Sequence, residues 1–162
     1  MSFHNQLVTK IVVKENAFRI INGQRLKGRK IVFTNGCFDI LHPGHVDYLT
    51  QARDLGNFLV LGLNTDNSVK RLNKAPNRPV NTEIARARVL AALGCIDLIV
   101  MFDEETPYNL INYLQPDILV KGGDYKAENV IGADIVKAKG GEIIIIPLTE
   151  GFSTTGLIEK LK

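Results

Sequence analysis

The stretch KIVFTNGCFDILHPGH, residues 30–45, decides the fold. Its first six residues, Lys30 to Asn35, are β-branched and apolar without alternation, the pattern of a strand buried on both faces. Gly36 allows a sharp turn at the strand exit. Pro43 then fits the first turn of a helix, where its missing N–H costs nothing. That helix is expected to run to about Gly56, with Val46, Leu49 and Ala52 facing inward. Strand, glycine turn and helix start follow one another within sixteen residues, so this is the first half of a β–α–β unit.

The unit recurs down the chain. FLVLGLN (58–64), IDLIVMF (96–102), DILVKGG (117–123) and EIIIIPL (142–148) read as four more strands. Asp66 or Asn67 is expected to cap a short helix through Leu72. Asn81 or Thr82 would cap another through Leu93, with Ile84, Ala87, Leu90 and Ala91 inward and Gly94 at its end. Helices are also expected over 106–114, stopped by Pro116, over 127–139, and over 153–161. NKAPNRPVN (73–81) reads as a loop. The pattern predicts an α/β fold: a Rossmann-like, doubly wound, five-stranded parallel sheet in a single domain. That domain covers residues 30–162; residues 1–29 are less regular and read as an N-terminal arm or helix.

Composition narrows the function classes. The chain has 162 residues, 45% hydrophobic and 23% charged, with a net charge of +3. A domain of this size builds a full core without staples. The basic residues are scattered, which argues against a nucleic-acid partner. No apolar run approaches the roughly 18 residues of a membrane span, and the N-terminus lacks a leader-like apolar stretch. The two cysteines, Cys37 and Cys95, form no disulfide framework. A cytoplasmic location is expected.

In an open parallel sheet, ligands bind beyond the carboxyl ends of the strands, and the unusual residues lie there. Asn35, Gly36, Cys37, Phe38, Asp39, His42, Gly44 and His45 form the first group. Two of the chain's three histidines flank a Pro-Gly step at a helix start. There free N–H groups favour an anion, and a spacing of three brings both rings to one phosphate chain. Two surface histidines at a helix start, or a metal pair, are the other readings; the pair lacks further ligands for a zinc set. Ser153, Thr154 and Thr155 offer more hydroxyls than a cap needs, which suits a second phosphate cradle or an over-supplied cap. KGGDY places Lys121, Gly122, Gly123 and Asp124 at another strand end, as a close-approach site or a tight turn. Lys70, Arg71, Lys74, Arg78 and Arg86 are either a solvated face or, at Arg78, a closing phosphate clamp.

NGCFDILHPGH resembles the HxGH signature of the cytidylyltransferase-like nucleotidyltransferases, TEGFSTT resembles their C-terminal signature, and GGDY the segment between. The likeness covers about residues 28–162, in order. It is nearest to the adenylyltransferase domains of ADP-heptose synthesis, which share KRLN, RPVN and LVKGGDY. Cytidylyltransferases of glycerol 3-phosphate and of phosphocholine or phosphoethanolamine come next; many of those carry arginine where this chain has Leu148.

The resemblance implies adenylyl transfer from ATP to D-glycero-β-D-manno-heptose 1-phosphate, giving ADP-heptose and pyrophosphate for lipopolysaccharide core synthesis. It implies His42, His45 and Lys70 as catalytic residues. Asn35, Gly36, Cys37, Phe38, Gly44, Gly122, Gly123, Asp124, Ser153, Thr154 and Thr155 would hold nucleotide and phosphates. Asp39, Lys70, Arg78, Arg86 and Lys121 would meet the acceptor. Mg2+ would arrive with ATP, without a protein ligand set. A homodimer and a separate sugar kinase are the implied partners. The alternatives are a cytidylyltransferase for glycerol 3-phosphate and a non-catalytic nucleotide-binding sensor.

Overall fold

The structure, a computed structural model, describes residues 2–72, 76–123 and 125–160. Five strands form one parallel sheet: β1 (Ile31–Gly36), β2 (Phe58–Asn64), β3 (Leu98–Phe102), β4 (Ile118–Gly122) and β5 (Glu142–Ile146), in the order β3-β2-β1-β4-β5. The chain walks outward from β1 to β3, then returns to lay β4 against the other side of β1. The switch point therefore lies between β1 and β4, and the crevice above their carboxyl ends is where such a sheet takes ligands.

Eight helices are described: α1 (Phe3–Val8), α2 (Lys14–Arg25), α3 (Pro43–Asp54), α4 (Asp66–Arg71), α5 (Glu83–Ala91), α6 (Tyr108–Leu114), α7 (Ala133–Ala138) and α8 (Thr154–Lys160). Each sheet face carries its own core. Ile31, Phe33, Val60 and Leu119 pack with α2, α6 and α7 on one side. Val32, Leu59, Leu61 and Leu63 pack with α3 and α5 on the other. Successive strand residues feed opposite cores, which is why these strands read as unbroken apolar runs.

Several sequence expectations are corrected at element ends. Thr65, not Asp66 or Asn67, caps α4 by accepting from Ser68 N–H at 3.1 Å. Ile84 is 57% exposed rather than inward, and Arg86 takes a buried position on α5 instead. The helix expected over 127–139 is a single 3-10 turn, Ala127–Asn129, then α7. Gly132 breaks it in the left-handed region at φ 85°, against the Ile111 side chain. β5 stops at Ile146, because Pro147 has no N–H for the ladder. The 153–161 helix is α8; Leu161 lies outside the described residues. Within residues 1–29, α2 buries Ala17 and Ile21 completely in the core. Just before it, Ile11 bridges Ile99 on β3.

Gly62 on β2 faces Asn35 across the β1 ladder. A Cβ there would lie 2.7 Å from Phe33 Cζ and 3.3 Å from Asn35 Cβ. Phe33 is fully buried, with no room to retreat. Gly62→Ala is expected to destabilise the protein by about 1–3 kcal/mol, read as a lowered urea midpoint. An unchanged midpoint would mean that Phe33 repacks freely.

Candidate active site

The turn after β1 builds the site. Its left-handed residue is Phe38, at φ 45°, not the glycine, a conformation uncommon for a bulky side chain. Gly36 serves space instead: a Cβ would lie 2.7 Å from the Phe38 ring. The ring thus sits over Gly36 and meets His45 edge-on, centroids 5.0 Å apart.

α3 then begins with Pro43 at its first position and His42 as its cap. His42 Nδ1 accepts from the His45 N–H at 3.3 Å. A ring nitrogen that accepts bears no proton, so neutral His42 carries its proton on Nε2. The two imidazoles stack with centroids 3.7 Å apart and planes 18° apart. Phe152 continues the stack on His42, and Gly44 leaves room for both, since a Cβ would come within 3.2 Å of each. Tyr48 ties α3 to β1 through a buried 2.6 Å hydrogen bond with Thr34, and burial pushes its phenol up to about 12.

Three chambers meet at Cys37. The first, about 340 Å³, lies between the His42–His45 stack, Tyr48, Lys121, Gly122, Tyr125, Leu148, Phe152 and Thr154. The second, about 270 Å³, is lined by Asn35, Gly36, Asn64, Glu105, Thr106, Lys121 and Asn129 among others. The third, about 260 Å³, lies between His45, Arg78, Thr154 and Thr155. Cys37 lines all three, and the second and third share no other residue.

The expected site residues separate into those that face these chambers and those that support them. His42, His45, Arg78, Lys121, Thr154 and Thr155 face them. Ser153 lines the first chamber, but its Oγ also accepts from Gly156 N–H at 3.0 Å, so it serves as the α8 cap. Gly123 adopts φ 106°, which suits glycine alone, at the exit of β4. Lys70 is exposed on α4 and lines none of the three chambers. Asp124 and Lys74 lie outside the described residues.

Asp39 and Arg86, expected at the acceptor, both direct their charge to partners within the protein, and Asp39 also lines the third chamber. The Asp39 carboxylate is 3% exposed. It accepts from Arg78 Nε at 3.1 Å and from the Val80 and Asn81 N–H groups at 2.9 Å. Arg86, 2% exposed, donates to the carbonyls of Cys37 (2.7 Å) and Asn81 (3.1 Å) and to the Asp66 carboxylate (2.8 Å). Buried charges need such partners, and these two meet theirs entirely within the protein. Reading by residue type cannot separate a clamp from a ligand contact. Glu105, Asn64 and Phe152 were missed, because nothing in their local pattern marks them; only the topology brings them to the crevice.

Burial, then the neighbouring His42 charge, lower His45 to about 4; Arg78 adds to the shift. The Ile40 carbonyl opposes it, yet no hydrogen bond of normal geometry reaches the buried Nδ1. Burial also lowers His42. Both rings are neutral at pH 7, and both line the first chamber.

The family described as cytidylyltransferase-like matches residues 33–159. The bifunctional protein HldE of Syntrophotalea carbinolica is 54% identical over 94% of this chain and 31% of its own length. That of Hyphomonas neptunium is 59% identical over 84% and 28%. The chain spans about a third of the length of these curated relatives. Among solved structures, the lipopolysaccharide core biosynthesis protein from Thermoplasma volcanium GSS1 superposes with a TM-score of 0.59 at 27% identity, covering 75% of this chain and 97% of that one. A pantoate-beta-alanine ligase from Francisella tularensis shares the fold, with a TM-score of 0.63 at 17% identity over 90% of this chain and 69% of that one.

The depressed His45 has a sign that can be measured. The unfolded imidazole titrates near 6.5, so between 6.5 and about 4 the unfolded chain binds the extra proton. Stability is expected to fall as pH drops through that window, with no contribution from this group above it. His45→Gln should flatten the dependence in urea-unfolding series from pH 7 to 4.5. An equally steep curve would place the titrating group elsewhere.

Proposed function

The chain belongs to the cytidylyltransferase-like family, and from that premise we propose that it transfers AMP from ATP to D-glycero-β-D-manno-heptose 1-phosphate. The products are ADP-heptose and pyrophosphate. The observation that carries this reading is the stacked His42–His45 pair at the start of α3, opening on chambers that meet at Cys37. The similarity to HldE proteins over nearly the whole chain supports the choice of acceptor, and so does the aliphatic Leu148 beside Gly122.

In this reading the first chamber holds the nucleoside. Tyr125, Leu148 and Phe152 give it apolar walls for a flat base. The phosphates run past the imidazoles into the third chamber. There Arg78, whose Nε is held by Asp39, presents the rest of its guanidinium, and Thr154 and Thr155 present hydroxyls. An oxygen of the acceptor phosphate attacks the α-phosphorus. The bond from that phosphorus to the α,β-bridging oxygen breaks, and pyrophosphate departs on the opposite side. No protein nucleophile takes part; catalysis is alignment and stabilisation of charge.

The histidines contribute through their protonation. His42 Nε2–H points away from its capping nitrogen as a ready donor. A polyphosphate in front of the stack supplies the negative charge that the apo pocket lacks. Binding then raises both imidazole pKa values and draws a proton into the pair, where it faces the departing pyrophosphate.

Mg2+ is proposed to enter with ATP. The donor set of the chambers, imidazole, hydroxyl and amide, suits a metal carried mainly by phosphates and water. Among the described residues no cluster of three His, Cys, Asp or Glu side chains competes for it. Bound magnesium would neutralise phosphate charge. No helix is long and apolar enough to cross a membrane among the described residues.

Pyrophosphate release tests the reading in a matrix of ATP and CTP against heptose 1-phosphate and glycerol 3-phosphate. ATP with the heptose phosphate is the expected pair; turnover only with CTP would sink the assignment. His45→Ala is expected to lower kcat by about 10²–10³-fold, the range for one lost transition-state donor, with an unchanged circular dichroism spectrum. Near-normal kcat would remove His45 from the chemistry.

A further inference from the structure

The second chamber sets an acid and a buried amide beside a lysine. Asn64, the last residue of β2, is 3% exposed and lines it. Its Nδ2 donates to Ser68 Oγ at 2.9 Å, and Ser68 Oγ donates to the Glu104 carbonyl at 2.6 Å. Because the serine proton goes to Glu104, its oxygen must accept, and this orients the amide. Nδ2 faces Ser68, and Oδ1 is left as the acceptor. Glu105 stands on the same wall and makes no hydrogen bond or ion pair with any described residue. Two acceptors, one a full negative charge, repel a phosphate and suit a ligand that donates hydroxyls. The cation of this chamber is Lys121, which lines the first chamber too.

We propose that this chamber is the acceptor pocket, and that Glu105, with Asn64, selects an acceptor whose single phosphate lies at the Lys121 end and whose far part is an uncharged polyol. The direction of attack rests on the adenylyl-transfer reading above. The chamber shares only Cys37 with the one assigned to pyrophosphate. An acceptor oxygen approaching from here comes from a different chamber than the one that takes the leaving group, which is compatible with in-line displacement. A three-carbon alcohol phosphate held at the Lys121 end offers few hydroxyls to the acceptor wall, whereas a sugar offers several. Glu105 thus acts on specificity rather than on the bond-making step.

Steady-state kinetics on the wild type, Glu105→Gln and Glu105→Ala, varying heptose 1-phosphate and ATP separately, test the assignment. Glu105 is exposed, so both variants should fold. The KM for the sugar phosphate is expected to rise about tenfold or more, the scale of one lost charge-assisted hydrogen bond, with the KM for ATP unchanged. If the wild type adenylylates the sugar phosphate and neither KM moves in the variants, the pocket is wrong while the transfer reading stands. If the wild type transfers nothing to the sugar phosphate, the transfer reading fails. Ligand-detected NMR with heptose 1-phosphate then decides the pocket. Binding by the wild type that Glu105→Gln loses supports it; no binding, or equal binding by both, overturns it.

Discussion

A guanidinium with almost no exposed surface, that of Arg86, ties together three separate pieces of chain. It reaches from α5 to the Cys37 carbonyl in the site turn, to the Asn81 carbonyl in the loop before α5, and to Asp66 at the start of α4. Asp39 completes the knot from the other side, holding Arg78 and the N–H groups of Val80 and Asn81. Charges this deep are tolerated only when every hydrogen-bonding direction is answered. Here nearly every answer is a backbone group or a side chain of the site's own walls. The desolvation cost is thus offset by contacts that also set the geometry. Cys37, where the three chambers meet, is held by the more buried of the two.

The strained Phe38 makes sense within that knot. A left-handed phenylalanine persists only where its surroundings over-determine it. Arg86 holds Cys37, the residue before it, and Asp39, the residue after it, is held by Arg78, Val80 and Asn81. The ring is thereby pressed between Gly36 and His45. One face of the imidazole stack is closed by this edge contact and the other by Phe152. The histidines are therefore oriented largely by aromatic neighbours, and the capping bond leaves His42 Nε2 unused.

The sheet and its crevice were legible in the residues. Runs such as FLVLGLN alternate with amphipathic or capped segments, and burial on both faces demands such runs. Element ends were less legible. Thr65 and Asp66 are both good caps; Thr65 takes the role, while Asp66 meets Arg86 with its carboxylate and Glu83 with its N–H. Asn35, His42 and Thr154 stand at strand exits or helix starts, where local pattern carries chemical meaning. Asp39 and Arg86 carry no such sign, because a carboxylate that clamps a loop and one that meets a ligand are the same residue type. Glu105 and Asn64 approach Lys121 only because the chain reverses at the β1–β4 switch, a fact of topology and not of spacing.

In the proposed reading, a resting site of neutral histidines receives a triphosphate. Permanent cations stacked 3.7 Å apart would repel each other and would have to be held together by the fold. The structure avoids that cost by burying the pair, which keeps both neutral until an anion arrives. Under that reading the ligand would bring the charge that makes protonation favourable, so positive charge would develop beside the phosphate. Arg78 differs: its charge is permanent, and Asp39 balances it when the chamber is empty. Fixed charge on a clamped arginine attracts the anion, and adjustable charge on the stack follows the chemistry. With the two kinds at walls of one chamber, the proposed phosphate site would align its ligand without holding the free protein in a highly charged state.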